Sequence, residues 1–150
     1  MFSAVPRKAG KTTLAAVLAL YALYCDGEPG AQVINAAADR EQAALCFEAA
    51  KGMVQAEPAL ESRSTAYKRS IIVPGTGSSY KVLSSEAYSK HGLSCSYIGA
   101  YELHAWPDRE LWDVLTTSTG ARRQPLTVVT TTAGYDRHSI CYEQWDYAIK

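Results

Sequence analysis

Gly10-Lys11-Thr12, set between a short apolar stretch and an Ala/Leu-rich segment, restricts this chain more than any other feature. Phe2 to Val5 reads as a strand, and Leu14 to Tyr24 reads as a helix. The loop between them is Pro6-Arg7-Lys8-Ala9-Gly10-Lys11-Thr12-Thr13. In such a strand–loop–helix unit, the free N–H groups at the helix start converge on one point, and the helix dipole adds positive potential there. An anion suits that point. Gly10 lets the backbone come close to it. Lys11 would reach the β- and γ-phosphates of a nucleotide, and the Thr12 hydroxyl would bind Mg²⁺. The full GxxxxGK[ST] pattern is not met, because Val5 stands where the first Gly belongs. The plainer reading of the remaining tripeptide is a charged turn before a helix; the strand–loop–helix context favours the phosphate loop.

The rest of the chain alternates strands and helices. Asp26-Gly27-Glu28-Pro29-Gly30 is a turn, and Ala31 to Ala36 a buried strand. Asp39 caps a helix that runs to about Gln55, with Gln42 completing a capping box. Arg69 to Val73 and Tyr80 to Leu83 read as two strands joined by the turn Pro74-Gly75-Thr76-Gly77. Ser84 to Ser94 reads as a loop with a short helix. Ser96 to Ala100 and Leu126 to Thr130 are further strands. Helices are expected from Asp108 to Thr117 and from Ser139 to Ile149. This alternation predicts an α/β fold with a mostly parallel sheet covered on both faces, in a single domain of 150 residues.

Composition narrows the class. The longest apolar run, Leu14 to Leu23, is too short to span a membrane, and no signal-peptide pattern is evident, so a cytoplasmic location is expected. Lys plus Arg (15) equals Asp plus Glu (15), which gives no bulk signature for nucleic acid but leaves room for a local patch. Cys25, Cys46, Cys95 and Cys141 lack any CxxC spacing and read as reduced, partly buried thiols rather than a zinc site.

A phosphate loop that hydrolyses a nucleotide needs a second site, where a carboxylate at a strand end polarises the attacking water. Glu102, in Tyr101-Glu102-Leu103-His104 after the strand 96–100, is the candidate. His104 could assist or orient it, although a packing or surface histidine is the simpler reading there.

Taken in order, these segments resemble the large subunit of phage terminases. Val5-Pro6-Arg7-Lys8-Ala9-Gly10-Lys11-Thr12 is similar to that family's deviant Walker A, which lacks the first glycine and carries an early basic residue. Glu102-Leu103-His104-Ala105-Trp106 resembles its Walker B end, usually Asp-Glu-Leu-His-Ala. The segment 120–126, Gly-Ala-Arg-Arg-Gln-Pro-Leu, with Thr130-Thr131-Thr132-Ala133-Gly134 resembles the lead-in and end of its coupling motif. Segments 27–31 and 39–43 are also similar to the family, so the resemblance spans nearly the whole chain.

The resemblance implies a three-layer αβα P-loop NTPase of the additional-strand catalytic-glutamate type. It implies ATP and Mg²⁺ as cofactors, and ATP hydrolysis that drives double-stranded DNA into a procapsid. Lys11, Glu102 and Arg7 would be catalytic, and residues 6–13 would bind phosphate. Thr12 would hold Mg²⁺, with Glu102 through a water, and Thr130, Thr131 and Thr132 would couple γ-phosphate loss to DNA movement. The family's partners are the portal protein, the small terminase subunit and further copies in a ring, in the cytoplasm of a bacterial host. Arg122 and Arg123 read as DNA or neighbour-subunit contacts, or more simply as solvated loop residues.

Two departures stand out. Tyr101 replaces the family's metal-side Asp, and a phenol with an ordinary pKa of ~10 is no carboxylate. The chain also lacks the family's segment before the phosphate loop and its C-terminal nuclease domain. A truncated chain with exposed apolar surface, and no DNA cleavage by it alone, is therefore expected. The alternative is a degenerate, non-catalytic nucleotide-binding P-loop fragment from a prophage remnant. An unrelated P-loop kinase or helicase fits the 130–134 segment less well.

Overall fold

The computed structural model describes residues 1–6, 8–85, 92–132 and 136–150. The strands are β1 (Phe2–Ala4), β2 (Gln32–Ala37), β3 (Thr65–Ala66), β4 (Ser70–Val73), β5 (Ser78–Ser84), β6 (Tyr97–Tyr101) and β7 (Leu126–Thr131). The helices are α1 (Lys11–Tyr24), α2 (Arg40–Ala56), α3 (Pro58–Glu61), α4 (Glu110–Thr117) and α5 (Ile140–Ile149), with a 3-10 turn at Leu103–Ala105. All seven strands form one sheet in the order β1-β7-β6-β2-β5-β4-β3. The pairs β1/β7, β7/β6, β6/β2 and β2/β5 are parallel; β5/β4 and β4/β3 are antiparallel. The hairpin arm β3–β4 therefore extends a parallel core.

Period-2 alternation divides the core into two layers. Val33, Tyr80, Tyr97 and Val128 face α1 and α2, where Ala16, Ala19, Phe47 and Ala50 meet them. Their neighbours Ile34, Ile98 and Val129 point the other way, onto Leu103, Trp106 and residues of α4 and α5. Helices cover both faces, as the alternation of elements predicts. Central strand β6 is buried at every position, which is why it reads as one continuous apolar run rather than an alternating one. Gly99 lies opposite Asn35 in the register, and a Cβ there would fall 2.0 Å from Asn35 Oδ1.

Several local expectations shift. Helix α1 begins at Lys11 rather than Leu14, so Lys11, Thr12 and Thr13, expected in a phosphate loop, form its first turn. Helix α4 begins at Glu110, where Asp108 Oδ1 accepts the Glu110 N–H at 2.8 Å. Asp39 caps α2 through the Gln42 N–H (2.8 Å), but the reciprocal half of a capping box does not form. Gln42 Oε1 is instead buried without a hydrogen-bond partner among the described residues. Helix α3 and strand β3 are additions that short, polar segments did not signal. The expected short helix within 84–94 falls largely on residues outside the described set. Cys46, Cys95 and Cys141 are buried, Cys25 is exposed, and all are free. Leu14, Val17 and Tyr21 leave an exposed apolar stripe along α1. Among the described residues, no helix is long and apolar enough to cross a membrane.

Candidate active site

Because β1, β7, β6 and β2 run parallel, their carboxyl ends meet at one edge of the sheet. The loop after β1 wraps into α1 there. Lys8 and Gly10 both take left-handed backbone conformations, at φ 64° and 76°. Gly10 suits this without strain, and a Cβ on it would meet nothing within 4 Å, so the space before the helix is open. The first bond of α1 runs from Leu14 N–H to Gly10 O at 2.9 Å. The N–H groups of that first turn therefore have no i−4 carbonyl within the helix and can face a ligand. No acidic residue occupies that first turn.

Lys11 is 6% exposed. Its ammonium lies 2.6 Å from Glu102 Oε1, an ion pair. The pair is not an aligned hydrogen bond, and among the described residues the ammonium has no other hydrogen-bond partner. A buried ammonium with unspent donors is costly unless a further anion completes it. A phosphate group fits that need.

Glu102 follows β6 directly. Its N–H donates to Thr130 O at 2.7 Å, which fixes it against β7. Its backbone is left-handed, at φ 50° and ψ 50°, a sparsely populated state for a non-glycine residue that occurs where surrounding structure over-determines it. The turn lifts the carboxylate off the strand end toward Lys11. Glu102 Oε2 then meets His104 Nδ1 at 3.1 Å and the Thr132 hydroxyl at 3.5 Å.

Tyr101 closes the floor of the site. Its hydroxyl lies 2.7 Å from Thr12 Oγ1, and its carbonyl accepts the Trp106 indole N–H at 3.1 Å. Burial raises its pKa, and the bond to Thr12 only partly offsets this, so the phenol is neutral at ordinary pH. Lys8, Gly10, Lys11, Thr12, Thr13, Gln42, Tyr101, Glu102 and His104 line an open cleft of about 560 Å³, within the range of small-ligand sites.

The expected site residues separate by location. Lys11, Thr12, Thr13, Gly10, Lys8 and Glu102 line the cleft. Pro6 and Ala9 are exposed loop positions away from its lining, and Arg7 lies outside the described residues, as do Ala133 and Gly134. Thr132 reaches Glu102. Thr131 is buried and bonded to His104. Thr130 is buried and contributes its carbonyl rather than its side chain. Two residues gain weight beyond the sequence reading. Sequence alone favoured packing for His104, yet it joins Glu102 to β7. Gln42 was assigned to capping, yet its side chain borders the cleft.

The family model for the ATPase domain of the terminase large subunit matches residues 1–150. This chain belongs to that family. The terminase large subunit of Enterobacteria phage HK97 is 31% identical over 151 residues, an alignment that covers 97% of this chain and 30% of that protein. The crystal structure of the HK97 bacteriophage large terminase matches with a TM-score of 0.87 at 28% identity, over 99% of this chain and 32% of that one. The large terminase ATPase domain of Thermus phage P74-26 matches with a TM-score of 0.73 over 95% of this chain and 62% of that one; at 18% identity it speaks to the fold alone. The chain thus spans about a third of the length of its HK97 relative.

Within this terminase ATPase domain, Arg122 has a role that neither sequence reading anticipated. Its guanidinium donates to Ser94 O (2.8 Å), Pro29 O (3.2 Å) and Gly30 O (2.9 Å), and pairs with Glu28 at 3.5 Å. These loops precede β6, β2 and β7, so Arg122 ties the amino edge of the sheet, opposite the cleft. Its side chain is only 12% exposed, which suits neither a solvated loop residue nor a DNA contact.

Proposed function

We propose that residues 1–150 form one ATPase domain that binds the triphosphate of ATP at the loop before α1 and hydrolyses it. The observation that carries this reading is the buried, incompletely partnered Lys11 ammonium, 2.6 Å from the Glu102 carboxylate. Lys11 and the first-turn N–H groups would neutralise the β- and γ-phosphates. Glu102 would orient a water for in-line attack on the γ-phosphorus and accept its proton as the bond to the bridging oxygen of ADP breaks. Thr12 and the phosphates would hold Mg²⁺, which tolerates few protein ligands and supplies charge stabilisation when bound. Arg7 would add positive charge at the phosphates. Following the family, the energy would drive double-stranded DNA through a portal, in a ring of copies recruited with a small terminase subunit in the host cytoplasm. Thr131 and Thr132, and Thr130 behind them, would couple phosphate release to that movement.

Binding of a fluorescent ATP analogue, with turnover of Mg·ATP, tests the assignment. Lys11→Ala is expected to weaken binding and turnover together. Glu102→Gln is expected to keep binding and cut turnover by about 10²–10³. Unchanged turnover in both variants would remove these roles.

One observation favours the second reading, a nucleotide-binding domain without turnover. The Tyr101 phenol engages Thr12 where the family has a carboxylate. Tyr101→Asp discriminates. Under this reading the natural chain binds ATP without turning it over, and the substitution brings hydrolysis with a Mg²⁺ dependence that Tyr101 lacks.

A further inference from the structure

His104 Nδ1 has three oxygens within bonding range: Thr131 Oγ1 at 3.0 Å, Glu102 Oε2 at 3.1 Å and Thr132 Oγ1 at 3.2 Å. One ring nitrogen carries at most one hydrogen, so it cannot serve all three at once. The residue is also pinned from behind, because its own N–H donates to Thr131 Oγ1 at 3.3 Å. The ring therefore stays beside β7 whichever oxygen its nitrogen serves. Thr132 Oγ1 is within 3.3 Å of the other ring nitrogen too and 3.5 Å from Glu102 Oε2. These contacts form a small set of mutually exclusive arrangements rather than a fixed network.

What selects among them is the other oxygen of Glu102. Lys11 holds Oε1 at 2.6 Å, and that ammonium is also the group a phosphate would draw away. A carboxylate that loses its cation turns to its remaining donors, here His104 and Thr132. We infer that His104 is a positioning residue that reports occupancy of the phosphate loop to Thr131 and Thr132 by exchanging the hydrogen bond of Nδ1 between Glu102 and β7. The inference rests on the phosphate-loop reading of Lys11. It goes beyond that reading by naming the side chain through which the loop and β7 communicate. An equilibrium between discrete partners that both ends bias is the physical requirement for such coupling. A satisfied packing histidine would have one set of partners and no reason to respond.

The test uses the chain with ¹³C-labelled threonine methyls, titrated with AMP-PNP and Mg²⁺ and then with ADP. The Thr131 and Thr132 methyl signals are expected to move with AMP-PNP and return with ADP. With AMP-PNP at saturation, His104→Ala should remove most of the Thr132 response. His104→Asn keeps a polar atom near the Nδ1 position and should restore it. If His104→Ala impairs folding, His104→Phe, which fills the space without a ring nitrogen, serves instead, read through the same loss of the Thr132 response. A Thr132 response that survives in the nitrogen-free variant overturns the inference while leaving the phosphate loop intact. Failure of the natural chain to bind AMP-PNP overturns the phosphate-loop reading itself, and the relay with it.

Discussion

The two edges of the sheet make opposite use of buried charge. At the amino edge, the Arg122 guanidinium is matched by three carbonyls and Glu28. At the carboxyl edge, the Lys11 ammonium has one carboxylate at 2.6 Å and no aligned hydrogen bond. One cation is complete and holds loops together. The other is incomplete, which leaves donors for a further anion. Burial alone does not separate the two; the balance of donors against acceptors does.

Substitutions at the two edges should therefore separate function from stability. The largest effect belongs to Lys11→Ala, expected to lower ATP turnover by about 10³ while shifting stability by less than about 1 kcal/mol, since Glu102 keeps His104 and Thr132 as partners. Arg122→Ala comes next. Stranding three carbonyls and Glu28 should cost about 2–4 kcal/mol, a fall in Tm of roughly 5–10 °C by calorimetry, with turnover per folded molecule unchanged. An equal loss of turnover in both variants would break the contrast. The smallest effect lies between the two edges, in the core beneath the cleft. Burial pushes the Cys46 thiol up to about 12 from an ordinary 9, with Glu102 adding to the rise. The native state keeps this thiol neutral where the unfolded chain would ionise it. Its contribution is therefore complete below pH 9 and is lost as pH rises from 9 toward 12. Between pH 9 and 10 the loss should be about 1 kcal/mol. Cys46→Ala should flatten Tm against pH in that window, before Tyr80 and Tyr97, also raised by burial, begin to act with the same sign.

The parallel core was legible because its physics is local. The buried runs 31–36, 96–100 and 126–130 lack alternation, as strands covered on both faces must, and each falls on a strand of the structure within one or two residues. The hairpin arm was half legible. The turn at 74–77 marked β4 and β5, but β3 is two residues long and owes its place to pairing with β4. In the site, Lys11 and Glu102 carried their own signals: a loop before a helix, and a carboxylate after a buried strand. His104 and Gln42 did not. Their weight comes from a left-handed turn at Glu102 and from the packing of α2 against the cleft, both products of tertiary structure. Arg122 is the clearest limit. A basic residue in a polar loop looks solvated until the three loops around it are brought together.

Strand β1 lies at the border of the described sheet, with β7 as its sole neighbour. Val5 N–H continues that seam, donating to Thr131 O at 3.0 Å, one residue before the expected phosphate loop begins. Among the described residues no strand pairs with its other flank, which could template a further strand. The same one-sidedness should make β1 easier to open than the inner strands. Peeling it away means unzipping a single short ladder, so its amides should exchange with deuterium well before those of β6, which is clamped on both sides. The segment that would grip a nucleotide is thus tied by backbone hydrogen bonds to the strand that ends in Thr131.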